Sequence, residues 1–276
     1  MPERLLAVFL PAARPANSIL PGALGLLLAC GATTPEPLLR LEAEHLRFAP
    51  PPTVPAGLVR VRLVNRDPVW HEASIVRFTG ATGTLEAYVD SARAGQEYPS
   101  FARDVGGVSF LAPGDSAEVL LDLPAGRYAV ICWHRDHVLQ GMGASFMVEG
   151  SASPAGRPGG AATDVTLTDY AIRFSRAPGD RPLLHVTNGG PSEHELAILE
   201  LEPGRSYADF MAWRAAGEAG PPPGRTVAGT AALQPGGDLW VPLPRRPGRY
   251  LFLCLLEDST GAYHADLGMQ QRVELP

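Results

Sequence analysis

"AGRYAVICWHRDHVLQGM", residues 125–142, returns in altered form as "PGRYLFLCLLEDSTGAYHADLGM", residues 247–269. The first eight residues align at an offset of 122, as do "LAPG" at 111 with "LQPG" at 233, Tyr88 with Phe210, and Gly95 with Gly217. Upstream, "WHEASI" at 70 matches "EHELAI" at 193 with an offset of 123, and "LRF" at 46 matches "IRF" at 172 with an offset of 126. A nearly constant offset over five landmarks marks a duplicated domain. The copies span residues 37–150 and 163–276, and "SASPAGRPGGAA", 151–162, reads as a Pro/Gly/Ser linker between them.

Within each copy the apolar runs are short, alternating and β-branched, as in "LVRVRLV", "AEVLLDL" and "RYAVICW", and Gly, Pro or Asp ends each one. That pattern predicts an antiparallel all-β sandwich. One element per copy departs from it. Leu85, Tyr88, Val89 and Ala92, and likewise Tyr207, Phe210, Met211 and Arg214, fall at helical spacing. Thr84 or Ser206 would cap the start of this helix and Gly95 or Gly217 its end.

The chain has 276 residues, enough for two cores, and a formal net charge of −6 with no basic stripe, so no nucleic-acid partner is expected. Arg4 and Arg14 precede an apolar run, Ile19 to Leu28, that ends in Leu27-Leu28-Ala29-Cys30. This resembles a bacterial lipoprotein signal, with cleavage before Cys30 and lipid on that cysteine. Residues 1–36 are therefore read as signal and tether, and the rest as exported, membrane-anchored through lipid, facing the periplasm or the cell exterior.

The duplication singles out the side chains that recur. Cys132 returns as Cys254, His71 as His194, His137 as His264 and Met142 as Met269, while His45, His134 and His185 have no counterparts. His134 reads as an exposed loop residue. Two imidazoles, a thiolate and a thioether suit a copper that cycles between Cu(I) and Cu(II), with two His and a Cys around the metal and a distant Met on the axis.

On these residues the chain resembles the cupredoxins, or blue copper proteins: an upstream His followed by C-x4-H-x4-M in the first copy and C-x9-H-x4-M in the second. The resemblance implies two tandem cupredoxin-like Greek-key β-sandwiches, each with one short helix, and at most one type 1 copper per domain. His71, Cys132, His137 and Met142 would be the first set of ligands, and His194, Cys254, His264 and Met269 the second. The implied function is one-electron transfer with a redox partner protein. Copper capture or delivery at the cell surface is the alternative, and a metal-free interaction module is a third. The shorter loop from Cys132 to His137 predicts the first copy to be the better site. Glu72 and Glu195 stand where the family usually has Asn, and read as strand charge on a solvated side.

The same count predicts no enzyme. Seven histidines cannot supply a trinuclear copper centre, and neither cysteine has a neighbouring His of the kind that feeds the catalytic copper of nitrite reductases. A Cys nucleophile is disfavoured too, because a thiol at the end of a core strand lacks the cationic surroundings that would ionise it.

Overall fold

The computed structural model describes residue 1 and residues 36–96, 99–151, 158 and 162–276. Cys30 with the whole expected signal, and most of the expected linker, lie outside these. The described residues from 36 onward fall in one compact unit, Thr34–Pro276.

In the first half β1 (Leu38–Ala43), β3 (Gly57–Asn65) and β6 (Ser116–Leu123) form one face. The other face holds β2 (Thr53–Pro55), β4 (His71–Phe78), β5 (Ala102–Leu111), β7 (Gly126–Ile131) and β8 (Gly143–Glu149). The second half repeats the plan. β9 (Ala162–Thr168), β10 (Ala171–Phe174), β11 (Leu183–Asn188) and β14 (Asp238–Pro242) face β12 (His194–Leu201), β13 (Gly224–Leu233), β15 (Gly248–Leu253) and β16 (Gln270–Leu275). The chain crosses between faces from β3 to β4, from β5 to β6 and from β6 to β7, so each half is a Greek-key sandwich, cupredoxin-like in its plan as expected, but not wholly antiparallel: β1 with β3, β2 with β8 and β9 with β11 run parallel.

The halves do not stop at their own edges. β6 pairs with its counterpart β14 through Leu120 and Trp240, and β5 with β13 through Val105 and Leu233. Both faces thus run on through the junction as sheets of seven and nine strands. Pairing equivalent edges antiparallel covers two exposed edges at once, which removes sites for unwanted strand addition.

Alternation along the strands places the core. In β1 Leu39, Leu41 and Ala43 are buried while Leu38 and Arg40 face water. β4 and β12 break this pattern, since His71 to Val76 and His194 to Leu199 are buried without interruption. A helix layer covers their outer face. The first helix, α1 (Leu85–Arg93), starts where Thr84 accepts from the Ala87 N–H, and Gly95 follows its end with φ +80°. The second, α2 (Tyr207–Ala215), starts at a reciprocal capping box between Ser206 and Asp209.

The repeated Gly-Arg-Tyr has a structural use. The Tyr128 hydroxyl donates to the Pro124 carbonyl at 2.7 Å and that of Tyr250 to Arg246 at 2.9 Å, each pinning the entry of the strand that ends at a cysteine. Gly107 and Gly229, counterparts at bulges beside β4 and β12, have φ of +142° and +138°. A Cβ there would lie 2.0 Å from the Ala73 oxygen or 2.1 Å from that of Leu196, so only glycine lets these strands pack.

Candidate metal centres

Two groups of metal-binding side chains assemble among the described residues, one per half: His71, Cys132 and His137, and His194, Cys254 and His264. His71 opens β4 and Cys132 directly follows β7, so two neighbouring strands fix two donors. His137 is brought back by a 3₁₀ segment, His134–Gln140, in which Arg135 and Asp136 take φ of 49° and 55°. In the first group Nδ1 of His71 lies 3.1 Å from Nδ1 of His137, and Cys132 Sγ lies 3.7 and 3.6 Å from them. In the second, Nδ1 of His194 and of His264 are 3.2 Å apart, and Cys254 Sγ is 3.5 Å from the latter. Donors about 2.0 Å (N) and about 2.3 Å (S) from one first-row metal lie about 3.3–3.7 Å apart in trigonal or tetrahedral arrangements. The sulfur–nitrogen distances fall in that range and the nitrogen–nitrogen distances of 3.1 and 3.2 Å lie just below it, so a small outward shift of the imidazoles lets each group hold one ion.

Loop length leaves no mark on this geometry. The Val138 N–H donates to Cys132 O, Met142 N–H to His137 O and Cys132 N–H to Met142 O; Ala265, Met269 and Cys254 make the same three bonds in the second half. The extra residues between Cys254 and His264 are folded out as a closed turn. There Asp258 Oδ1 accepts from Thr260 and Ala262, Glu257 bridges Tyr263, and His264 N–H donates to Leu256 O. This rung puts Met142 and Met269, each fully buried, next to their sites in the chain and directly before β8 and β16.

Burial sets the protonation. It lowers the pKa of all four histidines, His137 to about 4 with help from His71 and His134, so their nitrogens are free to bind metal at neutral pH. It raises Cys132 and Cys254 well above the ordinary thiol range. These thiols are free of disulfides and would ionise only on a cation, so neither is an activated nucleophile.

Around the donors the structure revises two sequence readings. Glu72 and Glu195 are buried, not solvated. Glu72 Oε1 accepts from the Trp133 N–H and Glu195 Oε1 from that of Leu255, both at 2.8 Å, which ties each His strand to the residue after each Cys. Their own N–H groups point at Sγ of Cys132 and Cys254, at 3.5 and 3.4 Å. His134 is also buried. It bonds Glu218 of the second half at 2.9 Å, lies over Phe110 and meets the edge of His137 at a centroid distance of 5.8 Å.

The sequence reading missed Asn65 and Asn188, although they recur. Asn65 donates to Val69 O and Leu111 O and accepts from the Asp67 N–H; Asn188 does the same with Ser192, Leu233 and Gly190. Each holds the loop that delivers the first histidine. Asp67 and Asp169 were missed as well. They bond Nε2 of His71 and His194 at 2.9 and 2.7 Å, and they are not counterparts, so the repeat could not reveal them.

Four carboxyls, three of them buried and Glu193 partly so, carry a pH dependence. Burial pushes Glu72 up to about 8, with repulsion from Glu195, and Glu195 up to about 6; Asp104 and Glu193 are raised for the same reason. Each binds its proton more tightly folded than unfolded, so its contribution is complete below the ordinary carboxylate range and is lost as pH rises through the folded value. Metal-free protein should therefore lose stability from about pH 5 to about pH 8, by about 1.4 kcal/mol per pH unit for each group within its window. Glu72→Gln should flatten the upper part of a urea-midpoint profile against pH; an unchanged slope there would show that Glu72 is ionised in the fold.

No family model and no curated protein matches this chain. Among solved structures it is similar to reduced auracyanin from Roseiflexus castenholzii, at 24% identity over 41% of this chain and 97% of that one, with a TM-score of 0.32. Auracyanin B is 25% identical over 42% and 91%, with a TM-score of 0.31. A copper-containing nitrite reductase from Thermus scotoductus is 16% identical over 88% of this chain and 62% of that one, with a TM-score of 0.24.

This last likeness, which spans both halves, withdraws the exclusion of enzymatic chemistry drawn from the sequence. That exclusion searched one chain for histidines beside Cys132 and Cys254. A ligand set assembled from positions far apart in sequence leaves no such mark.

Proposed function

We propose that this chain is an exported two-site copper protein that passes single electrons. What supports the reading is one observation made twice: two imidazole nitrogens and a thiol sulfur, 3.1–3.7 Å apart where bonded, on neighbouring strands of a rigid sandwich. His71, Cys132 and His137 would hold one copper and His194, Cys254 and His264 the other, with Met142 and Met269 as axial neighbours. Copper, when bound, supplies one-electron chemistry between Cu(I) and Cu(II). The chain's part is to keep the donors in place. His71, Cys132, His194 and Cys254 are fully buried and the two loop histidines nearly so, which favours a site that retains its ion over one that hands it on.

Titration of metal-free protein with Cu(II) should end at two equivalents and produce an intense visible band, bleached by dithionite and restored by ferricyanide. Copper bound without that band would instead mark a Cu(I) capture or delivery protein.

The anchoring belongs to the same proposal. No helix among the described residues is long and apolar enough to cross a membrane. Leu27-Leu28-Ala29-Cys30 would place lipid on Cys30. Cys30→Ser should move the protein from the membrane fraction to the soluble one with copper binding intact; a soluble wild type would remove the anchor from the proposal.

A further inference from the structure

In both halves the first histidine of the metal group turns its outer nitrogen to a carboxylate, but the two carboxylates come from different places in the fold. Asp67 lies in the loop between β3 and β4, four residues before His71, and bonds its Nε2 at 2.9 Å. Asp169 lies in the turn between β9 and β10, and bonds Nε2 of His194 at 2.7 Å.

At the offset that relates His71 to His194, the counterpart of Asp67 is Gly190. A Cβ on Gly190 would lie 2.8 Å from Asp169 Oδ1 and 2.8 Å from His194 Nε2. The position that supplies the carboxylate in one half is thus cleared to admit it in the other. The partner elements exchange roles as well. The turn after β1 has no carboxylate on the histidine and instead donates the N–H groups of His45 and Leu46 to Asp67, at 2.6 and 2.9 Å. The turn after β9 carries Asp169 itself, steadied by the Ser192 hydroxyl at 3.1 Å, and its neighbour Tyr170 meets the edge of His264.

Duplication copies an arrangement without effort, and shared packing would account for a carboxylate at the same position twice. It does not account for the same bond built from non-equivalent residues, with a glycine opening the space for one of them. The requirement lies in the bond itself.

We infer that Asp67 and Asp169 are positioning residues for the two metal centres, acting through His71 and His194. Each accepts a hydrogen bond from the Nε2–H, which fixes the tautomer that leaves Nδ1 bare toward the cysteine, and each places a negative charge behind the imidazole that favours Cu(II) over Cu(I). The effect is unequal. Asp67 is nearly buried with three bonds to it, whereas Asp169 is 30% exposed and partly screened by water.

The inference rests on the copper reading for its redox half and is independent of it for its tautomer half, so two measurements are paired. In metal-free wild type, nitrogen-15 chemical shifts should show His71 and His194 protonated at Nε2 only. Asp169→Ala, at a site exposed enough to fold, should give His194 a mixture of tautomers and leave His71 unchanged. Asp169→Asn keeps an acceptor and should keep the tautomer. On copper-loaded protein, spectroelectrochemistry should show the Asp67→Asn site holding about tenfold more Cu(I) at a fixed potential, a rise of about 59 mV for one electron, and the Asp169→Asn site a smaller rise. A wild type that takes up no copper would defeat the proposed function while the tautomer result still decided the positioning role. Unchanged tautomers in Asp169→Ala, or potentials that stay level or fall in both Asn variants, would overturn the inference.

Discussion

Cys132→Ser should leave a folded protein that binds one copper instead of two and keeps the spectrum of the second site alone. A serine hydroxyl remains protonated at neutral pH and offers a hard oxygen in place of a thiolate, so both affinity for copper and the sulfur-to-metal absorption are lost at that site. The fold should tolerate the change. Serine is close to isosteric, and the Glu72 N–H that points at Sγ from 3.5 Å is ready to bond the new oxygen, which limits a burial cost otherwise of about 1–3 kcal/mol. Cys254→Ser should behave in the same way, because the Glu195 N–H stands at 3.4 Å from its sulfur, and the double variant should be colourless. The shorter first loop predicts instead that most of the colour belongs to Cys132. The hydrogen-bonded rung shared by the two loops argues for equal losses, since the added residues at 258–262 are closed on themselves before His264 is reached. Absorption spectra with copper counts on the three variants would separate these, and colour surviving in the double variant would overturn both.

Phe210→Ala should cost about 3–5 kcal/mol, the range for removing a buried aromatic ring. Phe210 is fully buried in α2, with ring centroids 5.6 Å from Trp213, 6.4 Å from Trp70 and 6.4 Å from Phe110. Trp70 and Phe110 belong to the first half, and Trp70 is bonded to the ligand His71. The helix of the second half therefore seals the first, whereas among the described residues Tyr88 in α1 packs in a cluster of its own half. Loss of Phe210 should lower the urea midpoint and also weaken copper retention at the first site, because Trp70, which it holds in place, directly precedes His71. Tyr88→Ala should lower stability without touching the second site. A cost below about 1 kcal/mol for Phe210→Ala, the size of a surface change, would mean that this ring contributes little to holding the halves together.

The two β-sandwich halves, the two capped helices and the recurring donors were all legible from periodicity and repetition, and the Greek-key order of the strands followed only from the resemblance those donors carry. Thr84 and Ser206 cap helices because capping depends on residues three apart, and Cys132 with His137 and Met142 is recognisable because a short loop keeps donors near in sequence as well as in space. Glu72 and Glu195 show where such reasoning stops. Alternation along a strand gives one face to solvent, but β4 and β12 are covered on both faces, by the core and by helices, and the helices arrive from elsewhere in the chain. The glutamates are buried as a result, and burial decides both their bonds and their protonation.

By itself the sequence determined which side chains stand as candidate donors and that the set occurs twice, since a duplicated set of Cys, His and Met carries its chemistry in its residue types. Tertiary structure alone decided what surrounds them: that the halves share both sheets through β5 with β13 and β6 with β14, that His134 reaches Glu218 of the other half, and that Asp67 in one half and Asp169 in the other stand behind the first histidine. The physical reason is that a donor's identity is local, whereas the groups that bury it, orient it and set its charge are chosen by contacts between segments far apart in the chain, and Gly190 matters for the space it leaves open.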